Sequence, residues 1–462
     1  MTAPAALCRV TVVGPAGRAD LAVPVATAVA DLVPVLVEHV VPEEERGVEY
    51  GSWVLQRLGE APLDPDGTPE TLDWLDGEQF HLSRAEDPLP ELDFDDVAEG
   101  MATAIGRQGD RWSDAVNRRL FLGLGATVLA TVGAALFGAP ATMPFAATAG
   151  GLALVLLVAS IAVARTSGDR ALSAVAGVAG CGFAWLTGVI GLAGPDDAVT
   201  PAGVLVGAVA AAACSALPLV LQRLVVRDLP VVPFGVVVVT ALGAVLAGWL
   251  HLGLDLGGAP TAAVVGTVFF LLTLFTPKIA TRAARLRGPQ LPRTADELQI
   301  DVEPEPAADL VARTRQADRY LTMLAVGASP VFAVAVPALF VDADWAGHVM
   351  AGLLTALLLL RAREFRNVVQ RTALALAGTW CALAQAAVLL ALLEPVWRIT
   401  ALVGLLGVAV LLVTAALRPL HRRPLPLWGH LANVLEICAG VAVLPVLLQI
   451  LGVYAWARGL AG

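Results

Sequence analysis

The chain has 462 residues, 57% hydrophobic and 15% charged, where a soluble protein carries about 25% charge. Its formal net charge of −10 hides an asymmetry: residues 1–119 hold 9 Arg against 23 Asp and Glu, and the remainder holds 21 basic groups against 17 acidic ones. These values exclude an ordinary soluble enzyme and suggest no nucleic-acid surface; they predict an acidic soluble head on a near-neutral membrane body.

Residues 1–84 read as a small mixed domain. Residues 7–13 (LCRVTVV) and 18–25 (RADLAVPV) are strand-like and are joined by Gly14-Pro15-Ala16-Gly17, a hairpin signal. Residues 28–41 have helical spacing through Val29, Leu32, Val33, Leu36, Val37 and Val40. Pro34 weakens that helix unless it falls in the first turn. A third strand is expected over 53–58, then a turn at Leu63-Asp64-Pro65-Asp66-Gly67, a short helical turn over 72–75 and a last strand over 79–83. This order in under 85 residues resembles the ubiquitin-like β-grasp fold. The segment continues through His81-Leu82-Ser83-Arg84 into a linker with no free Gly-Gly end, so docking fits it better than conjugation. The competing reading is a small acidic domain with no specific partner.

The linker, residues 85–119, begins acidic and proline-broken, and residues 94–112 show helical spacing. Arg107, Arg111, Trp112, Arg118 and Arg119 gather near the bilayer. They suit either an interfacial anchor for anionic lipids or ordinary flanking positive charge.

From residue 120 to the end, eleven apolar runs approach the ~20 residues that cross a bilayer. The expected spans are 120–139, 144–164, 171–192, 200–221, 231–250, 259–279, 321–341, 345–360, 372–393, 396–417 and 430–456. So much backbone in lipid demands an all-α bundle. Alternate loops carry 19 Lys and Arg on one side and 2 on the other. With no basic n-region or long apolar h-region at the amino terminus, the head is expected in the cytoplasm and the carboxyl terminus outside. The charged loop over 280–320 is long enough to suggest a task of its own.

Gly203, Gly207 and Ala211 form a small-residue stripe, suited to close packing within the chain or between chains. Glu436 and Asn433 lie one turn apart in the last span, and Gln385 is polar in the ninth. Intramembrane carboxylates are expensive and tend to be functional. Glu436 therefore reads either as a proton or cation site or as a structural contact neutralised by Arg422 and Arg423. Cys8, Cys181, Cys214, Cys381 and Cys438 show no metal-ligand or disulfide spacing and read as small apolar fillers. There is no P-loop, HExxH or GxSxG pattern, so no catalytic residue, metal or cofactor is expected, and energy would come from an ion gradient or a partner.

The β-grasp head, the turn LDPDGTPETLDWLDGEQF, the basic linker and eleven spans with a long loop between the sixth and seventh resemble EccD, the polytopic membrane subunit of type VII (ESX) secretion systems. The resemblance covers essentially the whole chain. It implies a non-enzymatic scaffold in the plasma membrane, working with EccB-, EccC- and EccE-like subunits, paired as a homodimer around lipid, its head docked on the EccC ATPase. The alternative is an ion-coupled secondary transporter with a regulatory head, using Glu436, Asn433 and Gln385.

Overall fold

A computed structural model describes residues 7–15, 17–41, 53–85, 112–226, 228–286, 306–340, 344–417 and 426–460. They divide into a compact amino-terminal unit and a helical unit that begins at Asp114.

In the amino-terminal unit, β1 (Leu7–Gly14) and β2 (Gly17–Pro24) pair antiparallel, with Gly14 opposite Gly17. Gly17 sits at φ +139°, which a side chain would strain. The helix α1 (Val29–Val40) follows, then β3 (Trp53–Gln56) and β4 (Glu78–Arg84). β4 runs parallel to β1 and antiparallel to β3, giving the order β2-β1-β4-β3. This is the β-grasp arrangement. The six apolar positions of α1 read from the sequence are all buried, together with Val10, Val12, Leu55 and Phe80.

Pro34 falls in the second turn of α1, not the first, and the helix continues through it. No side chain caps the start of α1. Instead the Val29 and Ala30 N–H groups donate to the carbonyls of Gly67 (2.8 Å) and Pro65 (2.9 Å). The Asp64–Gly67 turn thus satisfies donors that a helix start leaves open. The expected helical turn over 72–75 is shorter: residues 71–73 form a turn, in which the Leu72 N–H donates to the Thr68 carbonyl at 2.9 Å, and β3 stops two residues short of the expected end.

The helical unit contains α2 (Asp114–Phe137), α3 (Met143–Thr166), α4 (Arg170–Gly191), α5 (Pro201–Leu224), α6 (Val231–Gly253) and α7 (Gly258–Ala283). It continues with α8 (Ala307–Ala338), α9 (Trp345–Ala362), α10 (Val368–Leu392), α11 (Pro395–Ala416), α12 (Pro426–Ile450) and the short α13 (Val453–Leu460). Among the described residues eleven helices, α2 to α12, are long and apolar enough to cross a membrane.

Three boundaries differ from the sequence reading. The first span starts at Asp114, inside what was expected to be linker. The region read as a loop over 280–320 is helical at both ends: α7 runs to Ala283 and α8 begins at Ala307. Charged residues there hide helix from an apolar-run search, because helicity and hydropathy are separate properties. The last span breaks at Gly452, whose φ of +71° ends α12 and releases the amphipathic α13. The expected helix over 94–112 lies outside the described residues except for its last member, Trp112.

Loop residues set the helix starts. Asp169 accepts from the Ala171 and Leu172 N–H groups, Thr200 from Gly203, Asp344 from Trp345 and Asn367 from Val369. These are side chains that favour N-caps. The Leu172 N–H and the Arg118 guanidinium hold the Asp169 carboxyl below the usual carboxylate range.

Candidate functional site

Charge concentrates at one end of the helical unit. Arg118 on α2 reaches Asp169 at 2.5 Å, Arg170 reaches Asp228 at 2.9 Å, and Arg223 donates to the Tyr320 hydroxyl at 3.4 Å. At this arginine-rich end α9 finishes in Arg361-Ala362, with Arg363 as its C-cap and Glu364 next.

Glu436 of α12 lies against that finish. One carboxylate oxygen is 3.4 Å from Arg361 Nη1 and the other 3.3 Å from Arg363 Nη2. Arg363 also donates to the side-chain carbonyl of Asn433, and its guanidinium is 3.5 Å from Glu364. The cluster therefore holds two cations and two carboxylates. Arg361 is 15% exposed and Glu436 13%, so either charge alone would be costly.

Arg361 has a second task. Its Nη2 lies 3.4 Å from the carbonyls of Thr273 and Leu274 on α7. Pro277, inside α7, has no N–H to give to the Thr273 carbonyl four residues back. The guanidinium supplies the missing donor and ties α7, α9 and α12 together.

A second cluster joins α8 to α10. Gln370, nearly fully buried, donates to Asp318 at 2.9 Å and to the Thr322 hydroxyl at 2.9 Å, and Asn367 donates to Asp318 at 3.1 Å. Sequence reasoning missed Asp318, Gln370, Arg361 and Arg363. By position the arginines read only as loop charge, although a short span followed directly by Arg-Ala-Arg-Glu is a signal that its end faces an acid. Arg422 and Arg423, the expected neutralisers of Glu436, lie outside the described residues.

Gln385 is not part of the Glu436 cluster. It donates to the His348 carbonyl at 2.9 Å, near the other end of α9. Thirteen residues of helix separate His348 from Arg361, about 20 Å. At that far end Arg398 donates to the carbonyls of Leu390, Ala391 and Leu393 at 2.9–3.1 Å, closing the carboxyl end of α10.

Gly203, Gly207 and Ala211 are buried within the chain, the two glycines against α4. A Cβ on Gly207 would lie 2.4 Å from the Trp185 carbonyl oxygen, and one on Gly188 would lie 2.3 Å from the Gly207 nitrogen. Here the backbones themselves are in contact. Of the linker residues, Arg107 and Arg111 lie outside the described residues, Trp112 is 67% exposed, Arg118 is paired with Asp169, and Arg119 is exposed. No group of three or more His, Cys, Asp or Glu suited to a metal occurs among the described residues.

Comparison with known proteins places these features. Residues 117–460 match the family described as EccD-like transmembrane domain, and residues 7–82 match YukD of the WXG100 protein secretion system. The ESX-4 secretion system protein eccD4 of Mycobacterium tuberculosis, in strains CDC 1551 / Oshkosh and H37Rv, is 30% identical over 380 residues. That match covers 78% of this chain and 77% of the relative. Protomer 1 of the ESX-3 core complex shares the fold with a TM-score of 0.58 at 18% identity, over 98% of this chain and 100% of that one. A chain of the MycP5-free ESX-5 inner membrane complex in State II gives 0.54 at 17% identity, over 89% and 99%. With a YukD-type ubiquitin-like head and an eleven-helix body matched almost end to end, the chain belongs to the EccD-like family, the multi-pass membrane components of ESX (type VII) secretion systems.

Proposed function

We propose that the chain is a non-enzymatic scaffold of an ESX secretion complex in the plasma membrane. The head and the arginine-rich end face the cytoplasm, and the carboxyl terminus lies outside. The head docks on the cytoplasmic part of an EccC-like ATPase, EccB- and EccE-like subunits complete the assembly, and two copies pair within each protomer. The ATPase supplies the energy.

The observation that carries this reading is the state of Glu436. A transport carboxylate must exchange its cation or proton, so it cannot stay committed to fixed partners. Glu436 is held by two guanidiniums at the end of a neighbouring helix, one of which also closes a proline gap in a third. Its chemistry is consistent with holding helices at fixed spacing. The three residues a transport path would need, Glu436, Asn433 and Gln385, are split between the two ends of α9, and no observation favours that alternative.

Deletion of residues 1–84 tests the docking role. Export stops while the helical body still inserts. Export at the normal level after the deletion contradicts docking.

A further inference from the structure

A groove of about 780 Å³ runs between α2 and α4. One wall is Ala126, Ala130, Gly133 and Phe137 of α2; the other includes Val178 and Gly182 of α4. A Cβ on Gly182 would meet nothing within 4 Å, so the groove is open to whatever surrounds the helices. In a bilayer an apolar channel of this kind is filled, because unfilled space forfeits dispersion contacts.

Arg119 lies on the same face of α2 as Ala126 and Gly133, at a spacing of seven residues, and about 10 Å nearer the arginine-rich end. Its neighbour Arg118 is engaged by Asp169. Arg119 is exposed, and no carboxylate pairs with it among the described residues. Five residues from the start of the helix, a long cationic side chain reaches the level of lipid phosphates. The groove thus continues, at headgroup depth, into a cation without an acidic partner among the described residues.

We propose that this groove binds an acyl chain of an anionic phospholipid whose headgroup phosphate pairs with Arg119. Charge complementarity selects the occupant. A partner helix seated there would need to bring an acid to Arg119, and a zwitterionic lipid carries its own ammonium beside the phosphate. An anionic lipid satisfies both the apolar walls and the Arg119 guanidinium. The proposal rests on residence in a bilayer and is independent of the secretion reading.

The test places the full-length protein in nanodiscs of equal parts phosphatidylglycerol and phosphatidylcholine. The protein is then extracted into mild detergent, and retained lipid is counted by native mass spectrometry. The wild type retains phosphatidylglycerol in preference. Arg119→Gln lowers that preference about fivefold, the effect of one basic residue near an anionic surface, and Arg119→Lys keeps most of it. Gly182→Leu, which fills the open groove, removes both lipids while the protein elutes unchanged; Ala130→Leu fills it from the opposite wall should the first variant not fold. An unaltered lipid ratio in Arg119→Gln overturns the proposal, as does full retention in the folded groove-filling variant. So does a Gly182→Cys variant that cross-links in native membranes to another protein's transmembrane helix with no lipid retained.

Discussion

α9 and α11 are the least and the most apolar of the eleven spans, with mean hydropathies of 1.4 and 2.5. Their packing runs opposite to that order. Half of the α9 span is buried, including Met350, Leu354, Leu357 and Leu358, whereas α11 has no buried residue at all. Lipid tails are as apolar as leucine, so hydropathy decides that a helix enters the bilayer and not what it packs against. Association comes from small residues that let backbones approach and from polar groups that need partners. α9 uses both, in Ala346, Gly347, Ala351, Arg361 and the adjoining Arg363, which meet neighbouring helices; α11 also carries small residues, but at Gly404 and Gly407 a Cβ would meet nothing within 4 Å, and its Arg398 reaches only carbonyls at the end of α10.

The sharpest break of this contrast uses glycine. Gly207→Leu in α5 drives a side chain into the α4 backbone and costs on the order of 3 kcal/mol or more, read as lost monodisperse protein in detergent. Gly404→Leu in α11, where a Cβ meets nothing within 4 Å, leaves the elution profile and melting temperature unchanged. Equal damage from both would mean that α11 is as tightly packed as α5.

Next in size is the charge cluster. Glu436→Gln leaves two guanidiniums facing a neutral amide. A broken buried pair costs several kcal/mol, and partial exposure reduces this to about 2 kcal/mol. Thermal unfolding in detergent measures it, and export should survive at permissive temperature. Loss of export with unchanged stability would favour a relay.

Pro277 sharpens the account of Arg361. Pro277→Ala restores an N–H for the Thr273 carbonyl, so Arg361→Gln should cost less in that background than in the wild type. The expected coupling is about 1 kcal/mol in a double-mutant cycle. Additive effects would show that the guanidinium does not stand in for the missing donor.

The smallest effect belongs to Asp169. Asp169→Ala removes the α4 cap, at about 1 kcal/mol. Because the folded carboxyl is held below its ordinary value, its contribution is present above the unfolded pKa and is lost only as pH falls through the folded one. The difference between wild type and variant should therefore be constant near neutrality and shrink only in strong acid.

The sequence made much of this legible. The eleven spans follow from runs of apolar residues, and the β-grasp head from two strand-like stretches, a helical face and a turn cluster. Glu436 and Asn433 stood out because one helical turn separates them. Their partners did not, since Arg361 is 75 residues from Glu436 and only the packing of α9 on α12 brings them together. The stripe Gly203-Gly207-Ala211 was visible as a pattern, but that it meets Gly188 and the Trp185 carbonyl depends on how α4 lies across it. The start of α8 and the break at Gly452 were invisible for opposite reasons. The first is helix without hydropathy, and the second is a turn set inside unbroken hydropathy.

The most direct test of the scaffold role is to purify the tagged full-length protein from its own host in mild detergent and identify by mass spectrometry what accompanies it. Recovery of a large complex containing an EccC-like ATPase is the predicted result. A lone monomer or homodimer, under conditions that keep other membrane complexes whole, would contradict it.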